Sequence, residues 1–170
     1  MNTRHMLIDS PLGDLTLVAF GDALTGVYFR HHWHPPTANA LGRYLEPASD
    51  DLFRRVKDQL GEYLAGKRTL FDLPTAFVGD AGQRRVWELL PEIAYGETTT
   101  YGELAAQLAD GTTAYEVGQA VGRNPLSIIV PCHRVVGKNG ALTGYAGGLK
   151  RKRFLLDLEA PLPAAAGRLF

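Results

Sequence analysis

The sequence predicts an α+β protein in two parts: a small antiparallel sheet with one flanking helix over residues 1–75, then a mostly helical part over residues 80–163. Three observations predict it. Short apolar runs broken by turn residues fill positions 5–30. From residue 51 onward the apolar spacing changes to threes and fours, the period of a helix packed on one side. Pro74 lies between the two regimes and marks the boundary.

In order along the chain, Met6-Leu7-Ile8 is the first strand, followed by the turn Ser10-Pro11-Leu12-Gly13-Asp14. Leu15 to Phe20 is the second strand, Gly21-Asp22 a turn, and Leu24 to Phe29 the third strand. Residues 31–50, rich in Pro, His and small polar residues, read as a loop. Phe53, Val56, Leu60 and Leu64 predict a helix over 51–66, with Asp50 and Asp51 at the end where negative charge is favoured and Gly66 at the other. Residues 70–77 are extended. A helix begins near Gly82, with Val86, Leu89 and Leu90 on its apolar face and Pro91 near its close. Tyr95-Gly96-Glu97 is a turn.

Two short helices follow, 101–108 with Leu104, Ala105 and Leu108 inward and 114–121 with Val117, Ala120 and Val121 inward, joined by Asp110-Gly111-Thr112-Thr113. Such a pair suggests a helix-turn-helix. The Asn139-Gly140 pair between Val135-Val136 and Ala141-Leu142 predicts a hairpin, which would be the wing of a winged helix-turn-helix. A last helix covers 148–159, ahead of a Pro/Ala-rich tail.

At 170 residues and 45% apolar, the chain can bury a core and is not disordered. No apolar run approaches the ~20 residues of a membrane span, and the N-terminus lacks a secretory stretch, so a soluble cytoplasmic protein is expected. Net charge is zero but unevenly spread. Residues 117–156 hold none of the 18 acidic side chains and seven of the 18 basic ones: Arg123, Arg134, Lys138, Lys150, Arg151, Lys152 and Arg153. A phosphate-facing surface would explain this, although Lys150 to Arg153 also suits a solvated helix face.

The single cysteine, Cys132, rules out an internal disulfide and any zinc site with two thiolates. His31-His32-Trp33-His34 reads as a solvated loop, and neither metal nor cofactor is expected. A thiol becomes a nucleophile when a neighbour takes its proton, and an imidazole steadied by a carboxylate does this. Cys132-His133 alone does not establish such a pair, because consecutive side chains diverge. A cysteine hydrolase remains open on these residues.

The wider pattern narrows the choice. Pro131-Cys132-His133-Arg134-Val135 is preceded by Asn124-Pro125 and Val117-Gly118-Gln119-Ala120 and followed by Leu142-Thr143-Gly144-Tyr145-Ala146-Gly147-Gly148. Tyr95-Gly96-Glu97-Thr98-Thr99-Thr100-Tyr101-Gly102-Glu103-Leu104 and Arg85-Val86-Trp87 lie upstream. This order resembles the O6-alkylguanine-DNA alkyltransferase family continuously from about Gly82 to Glu159, and more loosely at Ile8-Asp9-Ser10-Pro11-Leu12-Gly13. The resemblance implies an RNase H-like N-terminal domain and a winged helix-turn-helix domain meeting the minor groove through the 114–121 helix.

It further implies DNA repair by irreversible, once-only transfer of an alkyl group from O6-alkylguanine, with O4-alkylthymine a further substrate, in a flipped base of double-stranded DNA. Cys132 would be the acceptor, His133 its water-mediated base, and Glu159 would orient His133. Asn124 would hold the backbone before the active-site turn, and Tyr101 would protonate the leaving guanine. The carbonyls of Cys132 and Val135 would read the guanine amine. Tyr145 would line the pocket and the Ala146 amide face the guanine oxygen. Ala114, Tyr115, Gly118 and Arg123 would face DNA, and Arg134 would tie the two domains together. A monomer is expected, with cooperative binding along DNA left open. Tyr115-Glu116 stands where the family usually has Arg-Ala, so DNA affinity should be weaker than in a typical member. The alternatives are a non-catalytic binder of alkylated DNA, a cysteine hydrolase turning over many substrates, and a winged-helix regulator.

Overall fold

The structure is a computed structural model and describes residues 2–46 and 49–160. Strands β1 (Thr3–Ile8), β2 (Leu15–Phe20) and β3 (Ala23–Phe29) form an antiparallel meander. Side chains alternate as a one-sided sheet requires: Met6 and Ile8 are buried while Leu7 between them is exposed. The loop expected over 31–50 carries two short elements that periodicity is too brief to reveal. Helix α1 (Ala38–Leu41) is capped by Thr37, and strand β4 (Arg43–Tyr44) pairs in parallel with β1, giving the sheet order β3-β2-β1-β4. Gly42 makes this approach possible, since a Cβ there would stand 2.2 Å from the Thr3 carbonyl oxygen.

Helix α2 (Asp51–Leu64) lays Phe53, Val56, Leu60 and Leu64 on the core, as its spacing predicts. Asp50 caps it by accepting the Phe53 N–H at 3.1 Å and also pairs with Arg4. It ends in a Schellman motif: Gly66, at φ +78°, donates to Tyr63 O and Lys67 to Glu62 O.

Helix α3 (Ala81–Trp87) is shorter than expected. Pro91 does not close it but opens a separate 3₁₀ turn over Leu90–Glu92. Helices α4 (Tyr101–Leu108) and α5 (Ala114–Gly122) form the expected helical pair and bury Leu104, Val117, Ala120 and Val121. Each begins with a reciprocal capping box, Thr100 with Glu103 and Thr113 with Glu116. The expected hairpin over 135–142 is corrected. Asn139 and Gly140 do turn with positive φ, and Gly137 N–H reaches Ala141 O at 2.7 Å, but no second strand forms. Strand β6 (Val135–Val136) instead pairs in parallel with β5 (Thr99–Thr100), which takes up its backbone groups. Helix α6 (Leu149–Glu159) closes the described fold; the Pro/Ala-rich tail lies outside the described residues.

The two halves meet along β3. Its free edge exchanges Leu24 N–H to Pro74 O at 2.8 Å and Ala76 N–H to Leu24 O at 3.0 Å, while Val27 N–H donates to Pro125 O at 2.8 Å. An edge strand that would otherwise be open is thereby covered from both sides of the molecule, and the segment leading to Cys132 is fastened to the sheet. Among the described residues no helix is long and apolar enough to cross a membrane.

Candidate active site

Cys132 lies at the start of a 3₁₀ turn, Cys132–Arg134, entered through Pro131. The approach from α5 is braced by Asn124, whose Nδ2 donates to Val130 O at 3.1 Å and whose Oδ1 accepts Leu126 N–H at 3.1 Å. Within this brace Ile128, a buried β-branched residue, has φ +71°. That conformation is strained for such a side chain and is held only by its surroundings.

The tight turn makes the side chains of 132–134 diverge. Cys132 faces a cavity of ≈ 310 Å³ between α4, α5 and the 143–146 segment. His133 and Arg134 turn inward to Glu159. Glu159 accepts His133 Nε2 at 2.8 Å, Arg134 Nε at 2.7 Å, Arg134 Nη2 at 2.9 Å and the Tyr63 hydroxyl. Burial alone would raise its carboxyl, but the hydrogen bonds from His133 and Arg134 bring it down to about 2. The carboxylate is thus ionised and accepts only, so Nε2 of His133 carries the hydrogen. Nδ1 is then the basic nitrogen, and it has no protein partner among the described residues. Burial also lowers the His133 pKa against the pull of Glu159, which keeps the ring neutral and able to take a proton.

The Cys132 thiol is pushed up by burial, opposed by the Asn124 side chain and by the positive charge of Lys152. Lys152 is fully buried, donating from Nζ to Val135 O at 2.6 Å and Gly144 O at 2.9 Å, and its desolvation lowers its pKa to about 8. The solvated-face reading of residues 150–153 therefore holds for Lys150 and Arg153, which are exposed, and is corrected at Lys152 and Arg151. Lys152 shares the buried stripe of α6 with Leu155 and Glu159, and Arg151 donates from Nε to Leu12 O at 3.0 Å and from Nη1 to Arg30 O at 3.2 Å.

The structure brings Tyr101, Ala114, Tyr115, Gly118, Cys132, Tyr145 and Ala146 together around one cavity. His133, Glu159 and Asn124 lie behind it. Arg123 is exposed beyond the cavity at the end of α5. Val135 is not on the cavity wall: it pairs in β6, and its carbonyl is engaged by Lys152. Tyr101 accepts from Thr143 Oγ1 at 3.4 Å. Arg134 does not tie the halves, because its partners, Glu159, Ile93 O and the Tyr95 ring, all belong to the second half. Tyr63 makes that link through Glu159, and Arg151 makes it through Leu12 and Arg30.

Sequence reasoning missed Lys152, Tyr63 and Trp33. Positions 152, 155 and 159 share a helical face, a signal that could have found Lys152. Tyr63 is 96 residues from Glu159 and gives no such signal.

Two family models match the chain. Residues 3–77 match the ribonuclease-like domain of 6-O-methylguanine DNA methyltransferase, and residues 81–161 its DNA binding domain. The methylated-DNA–protein-cysteine methyltransferase of Mycobacterium bovis is 44% identical over 98% of both chains. That of Methanosarcina acetivorans is 41% identical over 91% of this chain and 97% of its own. Among solved structures, Mycobacterium tuberculosis OGT in complex with DNA superposes with a TM-score of 0.82 at 44% identity, covering 93% of this chain and 95% of that one. An O6-methylguanine DNA methyltransferase from Methanococcus jannaschii gives a TM-score of 0.64 at 27% identity, covering 91% and 92%.

Proposed function

Because the chain belongs to the 6-O-methylguanine DNA methyltransferase family, a family of single-use DNA repair transferases, we propose that Cys132 is the acceptor that ends each molecule's working life. The observation that carries this assignment is the placement of the protein's single thiol on the cavity wall, with a neutral, carboxylate-held imidazole as the next residue.

The chemistry follows from that placement. His133 Nδ1, which no protein group occupies among the described residues, takes the thiol proton through a bridging water, and Glu159 compensates the charge that develops on the ring. The sulfur then attacks the alkyl carbon, a carbon–sulfur bond forms, and the carbon–oxygen pair returns to guanine. Tyr101, on the cavity wall, supplies the proton that makes guanine a better leaving group. The thioether has no leaving group of its own, so the protein reacts once. The lesion must leave the helical stack to reach Cys132, at a cost of a few kcal/mol. The partner we infer is double-stranded DNA carrying O6-alkylguanine, met by α5 with Ala114, Tyr115, Gly118 and Arg123. Tyr145 and Ala146 hold the base. Residues 1–75 then form a supporting domain and 80–163 the transferase domain, in a cytoplasmic monomer.

Intact mass before and after mixing with an O6-methylguanine oligonucleotide tests the assignment. The protein should gain one methyl group and no more, and Cys132→Ser should gain none. A protein that stays at its original mass is a binder, and one that releases many product molecules is a hydrolase; either result overturns the assignment.

A further inference from the structure

One wall of the cavity comes from the first half of the chain. Trp33 lines it beside the 144–146 segment, and every other lining residue lies at or beyond Tyr101. The indole is 56% exposed, whereas the other tryptophan, Trp87, is buried and donates from Nε1 to Ala120 O. The segment carrying Trp33 is firmly built. His31 adopts φ +61°, a left-handed conformation that costs energy for a non-glycine residue. His32 is buried, stacks on Phe29, meets Tyr28 edge-on, and accepts the Phe29 N–H on Nδ1 at 3.2 Å. Trp33 N–H donates to Ala146 O at 2.9 Å, and Pro35-Pro36 stiffen the exit. Gly144 is its neighbour on the cavity wall: a Cβ there would lie 3.6 Å from the ring, in ordinary contact. A fixed backbone thus presents an open aromatic face at the mouth of the cavity that holds the thiol.

We propose that Trp33 is a substrate-binding residue: its indole stacks on the extruded alkylated base, so the N-terminal half binds the lesion directly. The proposal rests on Cys132 being the acceptor. Stacking of a base on an aromatic side chain is worth about a tenfold change in binding, and any purine suits it.

The test uses the full chain and free O6-benzylguanine, which reports on the cavity without DNA. Single-turnover benzylation followed by intact mass should give, for Trp33→Ala, a half-saturating concentration raised about tenfold. The limiting rate should stay within a few-fold, and Trp33→Phe should restore most of the loss. In Cys132→Ser, which cannot react, the base should quench the exposed tryptophan's fluorescence. Unchanged saturation in Trp33→Ala, or a loss confined to the limiting rate, overturns the proposal. If the unaltered protein gains no benzyl group, it is the acceptor assignment that fails, so the two failures are distinguishable.

Discussion

At Glu159 one carboxylate gathers His133, Arg134 and Tyr63 behind the nucleophile. Its folded pKa is about 2 against an ordinary 4.5, so its ionised form stabilises the fold above pH 4.5, and that stabilisation is lost as pH falls toward 2. Glu159→Gln keeps the shape but leaves Arg134 buried without its counter-charge. Urea unfolding at neutral pH should show a loss of ~3–5 kcal/mol, with slower alkylation from a misoriented His133. Lys152 acts on the sulfur from the other side. Lys152→Met removes a positive charge that favours the thiolate, so the pH profile of alkylation by free O6-benzylguanine should move to higher pH; an unmoved profile would leave Lys152 a purely structural brace. Cys132 and His133 were legible as candidates from the motif that surrounds them. The Lys152 link was hidden inside a run of four basic residues whose burial only the helical phase reveals.

Helix α5 carries two residues that depart from the family's usual Arg-Ala, and the structure separates their roles. Glu116 faces back on its own helix end, accepting Thr113 N–H at 2.9 Å, so it serves the cap. Tyr115 is 75% exposed on the cavity rim and offers a ring but no charge. Tyr115→Arg with Glu116 retained should tighten duplex binding and steepen the dependence of log K on log salt by about 0.9, the signature of one added phosphate contact. Equal affinities across a salt series would refute this. Thr113→Ala should cost about 1 kcal/mol through loss of the cap, read by thermal unfolding. Elements with several apolar repeats, α2, α4 and α5, were legible in the sequence because packing on one side imposes a period. The short elements α1 and β4 were not, and β6 was legible as a strand but not in its pairing: it pairs with β5 across 36 positions, while the local Asn139-Gly140 turn points to a neighbour that never forms a strand.

Across the whole molecule, the halves share β3 and the Tyr63–Glu159 contact. Tyr63→Phe removes one donor to an ionised carboxylate and should lower stability by ~1.5–3 kcal/mol, measured by urea unfolding, with alkylation slowed less than in Glu159→Gln. The backbone bonds of β3 to Pro74, Ala76 and Pro125 have a mechanical consequence. They stitch segments on both sides of residues 77–80, where Val78 stands 67% exposed. A protease that clips this stretch severs the covalent path without undoing the stitching. The two fragments should therefore elute together from a sizing column and come apart only in denaturant, with the sulfur in the nicked pair still open to its substrate.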